Sequence, residues 1–208
     1  GRDSRCRYHL TVSNSGLDEE DDSPGGAVLR CATSSLVGDR NGPSDLWTQN
    51  IRDNAILVTT FSIKTFHEEA VFAVACDSGF IHTFFVESGS QFMCPLLLPH
   101  TPAILEGQGR FLLAVDVMGE CFVWDMQSRT VDLRCSASVC CKGEQHLASV
   151  SLCTRGDLTD KPTVIAYTTP DSEALLYSRD MQSWQELCSS WAVSAISAGY
   201  LRGLDLRQ

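Results

Sequence analysis

The stretch Cys76-Asp77-Ser78-Gly79-Phe80 sets a serine between an aspartate and a glycine, the local form in which serine hydrolases present a nucleophile. The chemistry would also need a histidine to take the hydroxyl proton and an acid to orient that histidine. No segment resembles the usual histidine motif, and a tight turn explains the stretch without catalysis. His67-Glu68-Glu69-Ala70-Val71 begins like a zinc-protease helix, but Val71 stands where the second histidine ligand belongs. Gly107-Gln108-Gly109-Arg110 offers two glycines of a phosphate cradle without the third, and it reads as a loop between strands.

Cys135, Cys140, Cys141, His146 and Cys153 are the remaining candidate ligands. Zinc sites use paired ligands two to four residues apart, twice over, and these spacings do not repeat. His9, His67, His82 and His100 are isolated, and His82 alternates within an apolar strand as a packing or surface residue. The expectation is a chain with no catalytic residue, no metal and no cofactor. A serine hydrolase built on Ser78 is the weakest of the readings carried forward.

The 208 residues are 43% hydrophobic and 20% charged, enough for a substantial core. A formal charge of −10 leaves no basic stripe for gripping phosphates, which argues against direct nucleic-acid binding. No run approaches the roughly 18 apolar residues of a membrane-spanning helix, so no membrane partner is expected. No signal-peptide pattern opens the chain, and Gly1 in first place suggests a piece of a longer protein. The 10 cysteines include Cys76, Cys121, Cys135 and Cys153 in or beside apolar runs, and no glycosylation sequon occurs. Reduced thiols in nucleus or cytosol fit that distribution.

The elements that would hold these residues are short. Residues 1–26 contain the acidic run Asp18 to Asp22 and are expected to be a flexible segment. Over 27–190, apolar runs of four to nine residues alternate with Gly, Asp, Ser and Pro, the pattern of strands and hairpins. Three segments superimpose, Ala70–Gly89, Arg110–Ser128 and Thr163–Met181. Gly79 and Gly119 are 40 residues apart, and each stands five residues before an aromatic, Phe84 or Trp124. The third copy has Ser172 and Tyr177 at those places. A period near 40 predicts four-stranded propeller blades. Ala55–Ile63 and Pro102–Gly109 would be inner strands, and Ser90–Pro99 and Thr130–Ser138 outer ones. An earlier partial unit lies around Trp47, and the C-terminal segment 191–208 has some helical character. The fold expected is all-β, an incomplete WD-repeat-like propeller.

A WD-repeat tryptophan-aspartate pair is ordinarily braced by an upstream Gly-His, and no Gly-His occurs in this chain. Trp124 and Asp125 therefore become candidates for an interface, with Phe122 expected on the opposite face of their strand. Tryptophan is the residue most enriched at interface hot spots. On that reading, replacing both Trp124 and Asp125 by alanine leaves the fold largely intact.

Ala73-Val-Ala-Cys-Asp-Ser-Gly79, then Cys94-Pro-Leu-Leu-Leu-Pro99, then Phe122-Val-Trp-Asp125 resembles the C-terminal domain of the HIRA histone-chaperone family (histone regulator A). Thr163–Leu187 is similar to the family's next unit, including Ser183 and Trp184. The likeness covers about Leu46 to Leu187. The acidic insert and the long interval after Gly119 depart from it.

The resemblance implies a scaffold rather than an enzyme, within a nuclear complex that deposits a histone H3 variant with H4 independently of DNA replication. It further implies self-association as a homotrimer and recruitment of a helical-repeat, Cabin-type subunit, with histones handled mainly by associates. The alternative is a WD-like trimeric adaptor of another nuclear complex, such as the replisome.

Overall fold

The computed structural model describes residues 6–15, 26–35, 44–64, 68–140, 146–153, 161–169 and 174–186. Contacts divide the chain between Pro102 and Ala103 into two compact units. In the first, β1 (Cys6–Ser15), β2 (Gly26–Ser35) and β3 (Ser44–Ile51) form one sheet. β4 (Ala55–Lys64), β5 (Glu68–Cys76), β6 (Phe80–Phe85) and β7 (Gln91–Leu97) form the next. In the second unit, β8 (Pro102–Gln108), β9 (Phe111–Asp116), β10 (Glu120–Asp125) and β11 (Thr130–Ser136) form a third sheet. β12 (His146–Cys153), β13 (Thr163–Thr169), β14 (Ala174–Ser178) and β15 (Ser183–Glu186) form the fourth, after a short 3₁₀ turn at Ser138–Cys140.

Each sheet is a sequential meander, the arrangement of a propeller blade. The fold is all-β and blade-like, and the inner and outer strands expected in the second and third sheets are where the sequence placed them. Strand β1 is an addition: residues 6–15 were expected to lie in a flexible segment, yet they pair with β2 along their whole length. Alternation of His9, Leu10, Thr11 and Val12 turns Leu10 and Val12 onto the core of the first unit. The acidic run 18–22 and the segment 191–208 lie outside the described residues.

The hairpin glycines do what their spacing predicts. The Gly79 N–H donates to Cys76 O at 3.0 Å, and the Gly119 N–H to Asp116 O at 2.9 Å. Their φ values of 94° and 82° lie in the left-handed region that glycine tolerates without a Cβ clash. A Cβ on Gly79 would fall 2.9 Å from Leu98 O, and one on Gly119 3.0 Å from Ser138 N.

Central strands are apolar on both faces. Val71 to Cys76 of β5 and Phe111 to Val115 of β9 are buried throughout, which marks strands covered on both sides. In the first unit, Leu29 and Ile51 meet Phe72, Val74 and Phe84 across the two sheets. Trp47 of β3 stacks on Phe72 at 5.4 Å, Phe72 stacks on Phe84 at 5.2 Å, and the Trp47 indole N–H donates to Val86 O at 2.8 Å. The second unit repeats the device. Phe111, Leu113 and Val123 pack with Val150, Val164 and Leu175. The Trp184 indole N–H of β15 donates to Ser136 O of β11 at 2.8 Å.

Alanine at Gly79 or Gly119 combines a left-handed backbone with a collision against neighbouring backbone. Each substitution is expected to cost about 1–3 kcal/mol, read as a lowered urea midpoint. Unchanged midpoints would show that neither turn needs its glycine.

Candidate functional site

Strand β10 carries the residues that the sequence singled out. Trp124 is 5% exposed and Phe122 8%, so both rings lie inside the folded chain. The rings stack with centroids 5.7 Å apart and planes 16° apart. This corrects the placement of Phe122 on the opposite face: residues two apart in a strand share a face. The Arg134 guanidinium covers the Phe122 ring from 5.0 Å. Cys121 and Val123, on the other face of β10, belong to the core of the second unit.

Asp125 ends the strand and organises the turn after it. Its Oδ1 accepts the backbone N–H of Gln127 at 3.0 Å and of Ser128 at 3.4 Å. Its Oδ2 meets Arg110 Nη2 at 3.1 Å. Arg110 comes from the turn between β8 and β9, and its carbonyl accepts the Met126 N–H at 3.0 Å. Arg110 thus ties down Asp125 with its side chain and the residue after it with its carbonyl.

Three further side chains with consequences were not legible beforehand. Glu106 Oε2 accepts the Leu152 N–H at 3.1 Å, so a carboxylate of β8 satisfies the backbone of β12. Burial pushes the Glu106 carboxyl above its ordinary range, and hydrogen bonds from Ser151 and Leu152 oppose that shift. Arg179 Nη2 reaches Asp132 Oδ2 at 2.6 Å, and its Nε donates to Pro162 O at 2.7 Å. Asp132 is the extra residue where the β10–β11 register shifts, and the resulting bulge turns its carboxylate toward Arg179.

The chemical candidates are occupied by structural tasks. The Ser78 hydroxyl donates to the Asp53 carboxylate, and the His82 ring stacks on Phe84 at 6.3 Å. Burial, with Asp53 and Asp77 nearby, pushes the Cys76 thiol up to about 12. Cys121 lies directly opposite Cys135, whose hydrogen bond, together with burial, also raises the Cys121 thiol. Among the described residues no group of three or more side chains is arranged to hold a metal ion. His67 and Cys141 lie outside the described residues. Glu68 opens strand β5, where a zinc-protease motif would require a helix.

Residues 89–199 match the family model Hira, described as TUP1-like enhancer of split. The chain belongs to the Hira family. Protein HIR1 of Gibberella zeae is 30% identical over 156 residues, 70% of this chain and 14% of that protein. Protein HIR2 of Debaryomyces hansenii is 26% identical over 126 residues, 57% of this chain and 13% of that protein. The Hira-family chain therefore spans about a seventh of the length of such relatives. A crystal structure of HIRA, residues 644–1017, shares its fold with a TM-score of 0.54 at 17% identity, over 88% of this chain and 52% of that one.

Burial changes what substitution at the Trp-Asp pair should do. Trp124→Ala is expected to cost about 3–5 kcal/mol, whereas Asp125→Ala, which loses turn hydrogen bonds and a partly exposed ion pair, should cost about 1 kcal/mol. Urea denaturation separates the two, and equal small losses would contradict the packed position of Trp124.

Glu106 gives a pH signature. Its native value is raised, so the native chain holds the proton to higher pH than the unfolded chain. The contribution is full below the ordinary value of 4.5 and is lost as pH rises through the raised native value. Glu106→Gln should flatten that part of the stability profile. A wild-type slope in the variant would assign it to another group.

Proposed function

We propose that this Hira-family chain is a non-enzymatic platform for self-association and partner docking in a nuclear histone chaperone, one that assembles nucleosomes independently of DNA replication. The observation that carries the reading is the family match across residues 89–199. Ser78, His82, Cys121 and Glu106 support it, because each is held in stacking, turn or sheet contacts rather than converging on a reacting centre. The acidic balance of the chain fits protein partners better than nucleic acid.

On this reading the chain assembles as three copies and presents a surface to a helical-repeat, Cabin-type subunit, and histones reach it through its associates. The interface falls at the turn between β10 and β11. Trp124 anchors that turn from inside and Asp125 shapes it, while Gln127 to Thr130 are exposed and Val131 is 54% exposed. Exposed apolar groups beside a rigid turn are the ordinary material of an interface core.

Multi-angle light scattering on the chain in reducing buffer tests both parts. Three copies are expected at micromolar concentration, and a single-copy mass there would overturn self-association. Val131→Arg with Asp125→Ala should lower the assembly size while leaving the thermal transition within a few degrees. An unchanged assembly would move the interface elsewhere.

A further inference from the structure

Three of the sheets have four strands, and each begins on an inner strand, β4, β8 or β12. The first sheet has three, in the order β1-β2-β3. Strand β1 touches β4 of the following sheet as β9 touches β12, and β9 is the second strand of its blade. Strand β3 passes to β4 through residues 52–54, as the outer strand β7 passes to β8 through residues 98–101. β1, β2 and β3 therefore hold the second, third and fourth places of a blade. Among the described residues no strand holds the first, and β2 is the one strand paired with β1. Asn14 pins the end of β1 to the start of β4, trading two hydrogen bonds of 2.9 Å with the Ala55 backbone.

The effect shows on β4. Val58 and Thr60 pair with Val74 and Phe72, so they share the face that meets the first sheet. Both are exposed, Val58 by 42%, and Ile56 at the adjoining bulge is equally open. The fourth sheet gives the comparison. Its inner-strand residues Val150 and Leu152 pair with Ala166 and Val164, and they are 2% and 1% exposed. There the preceding blade has its inner strand: Ile104 of β8 packs on their cluster, and Glu106 takes the Leu152 N–H.

The other face of the first sheet defines what can fill the place. Leu10, Val12 and Leu29 point to the core, whereas His9, Thr11 and Ser13 alternate with them, next to the Arg30–Asp45 ion pair. A face of that polarity is a poor bed for another apolar sheet, whether from a further blade or from a second copy. A single strand, wet on its outer side, satisfies both faces.

We infer that an extended segment of a partner protein adds to β1 as the inner strand of this sheet. It runs antiparallel to β1, as β4 runs to β5 and β12 to β13. Its backbone pairs with the open edge of β1, its alternate apolar side chains cover Ile56 and Val58, and the polar ones between them face water. The partner chemistry is thus an amphipathic strand of alternating apolar and polar residues. The groove lies within the first unit, and the proposal does not rest on the self-association reading.

The test is NMR on the full 208-residue chain, titrated with acetyl-Lys-Thr-Val-Thr-Val-Thr-Val-Lys-amide. The Ile56 and Val58 methyl signals should shift saturably, and amide exchange should slow at alternate residues of β1. Two N-methylated peptides, one modified at the valines and one at the threonines, probe the edge. Alternate residues of a strand turn their N–H groups to opposite sides, so one form should lose binding and the other keep it. Val58→Lys should weaken the unmodified peptide about tenfold, with the fold read from the buried Leu29 and Val74 methyls. If that variant fails to fold, Ile56→Lys supplies the second arm. No shift at millimolar peptide, equal affinity of the two N-methylated forms, or unaltered affinity in the folded variant would each overturn the proposal. So would slow β1 exchange without peptide, either rising with protein concentration, which assigns the strand to a second copy, or present in the full-length protein, which assigns it to its own polypeptide.

Discussion

Burial of one sheet face against the next is the constraint on which the rest of this structure depends. A four-stranded meander whose central strand is apolar on both faces has no stable state in water alone. Strand β5 from Val71 onward and the whole of strand β9 are of that kind. In each unit two sheets close face to face, and a tryptophan on a last strand seals the contact. The indoles of Trp47 and Trp184 fill the apolar space and place one N–H on a carbonyl, Val86 O in the turn after β6 and Ser136 O of β11. An aromatic side chain with a single polar atom suits that task, because the atom must find a partner once buried.

That constraint decides where function has room. Residue types that are reactive elsewhere are drawn into the packing: Cys121 faces Cys135, Ser78 holds Asp53, and Glu106 satisfies the backbone of the adjacent sheet. Apolar side chains stay exposed both at turns, where Val117, Met118 and Val139 lie, and on strands, where Leu97 of β7 and Val131 of β11 lie. The Trp-Asp pair sits at the boundary between these two populations. Trp124 belongs to the packing, and Asp125, tied to Arg110, shapes the exposed turn that follows.

Much of the fold was legible because it is written in local patterns. Gly79 and Gly119 mark the hairpins, and the aromatics five residues later mark the buried ends of β6 and β10. Strand β1 was hidden because its few apolar residues stand beside an acidic run that dominates composition. Phe122 was expected opposite Trp124, but the two-residue period of a strand puts both rings on one face. The braces were beyond reach for a different reason. Glu106 with Leu152 and Arg179 with Asp132 are pairs 46 and 47 residues apart, and nothing in either local sequence names the other.

On the proposed function, Trp124 is an internal anchor and association takes place at the exposed turn beyond it. Amide hydrogen exchange across a protein dilution series tests this most directly. The account predicts slow exchange in the Cys121 to Trp124 amides at every concentration, and slowing of the Gln127 to Val131 amides as concentration rises. Fast exchange through β10 in dilute protein, slowed only on association, would contradict it.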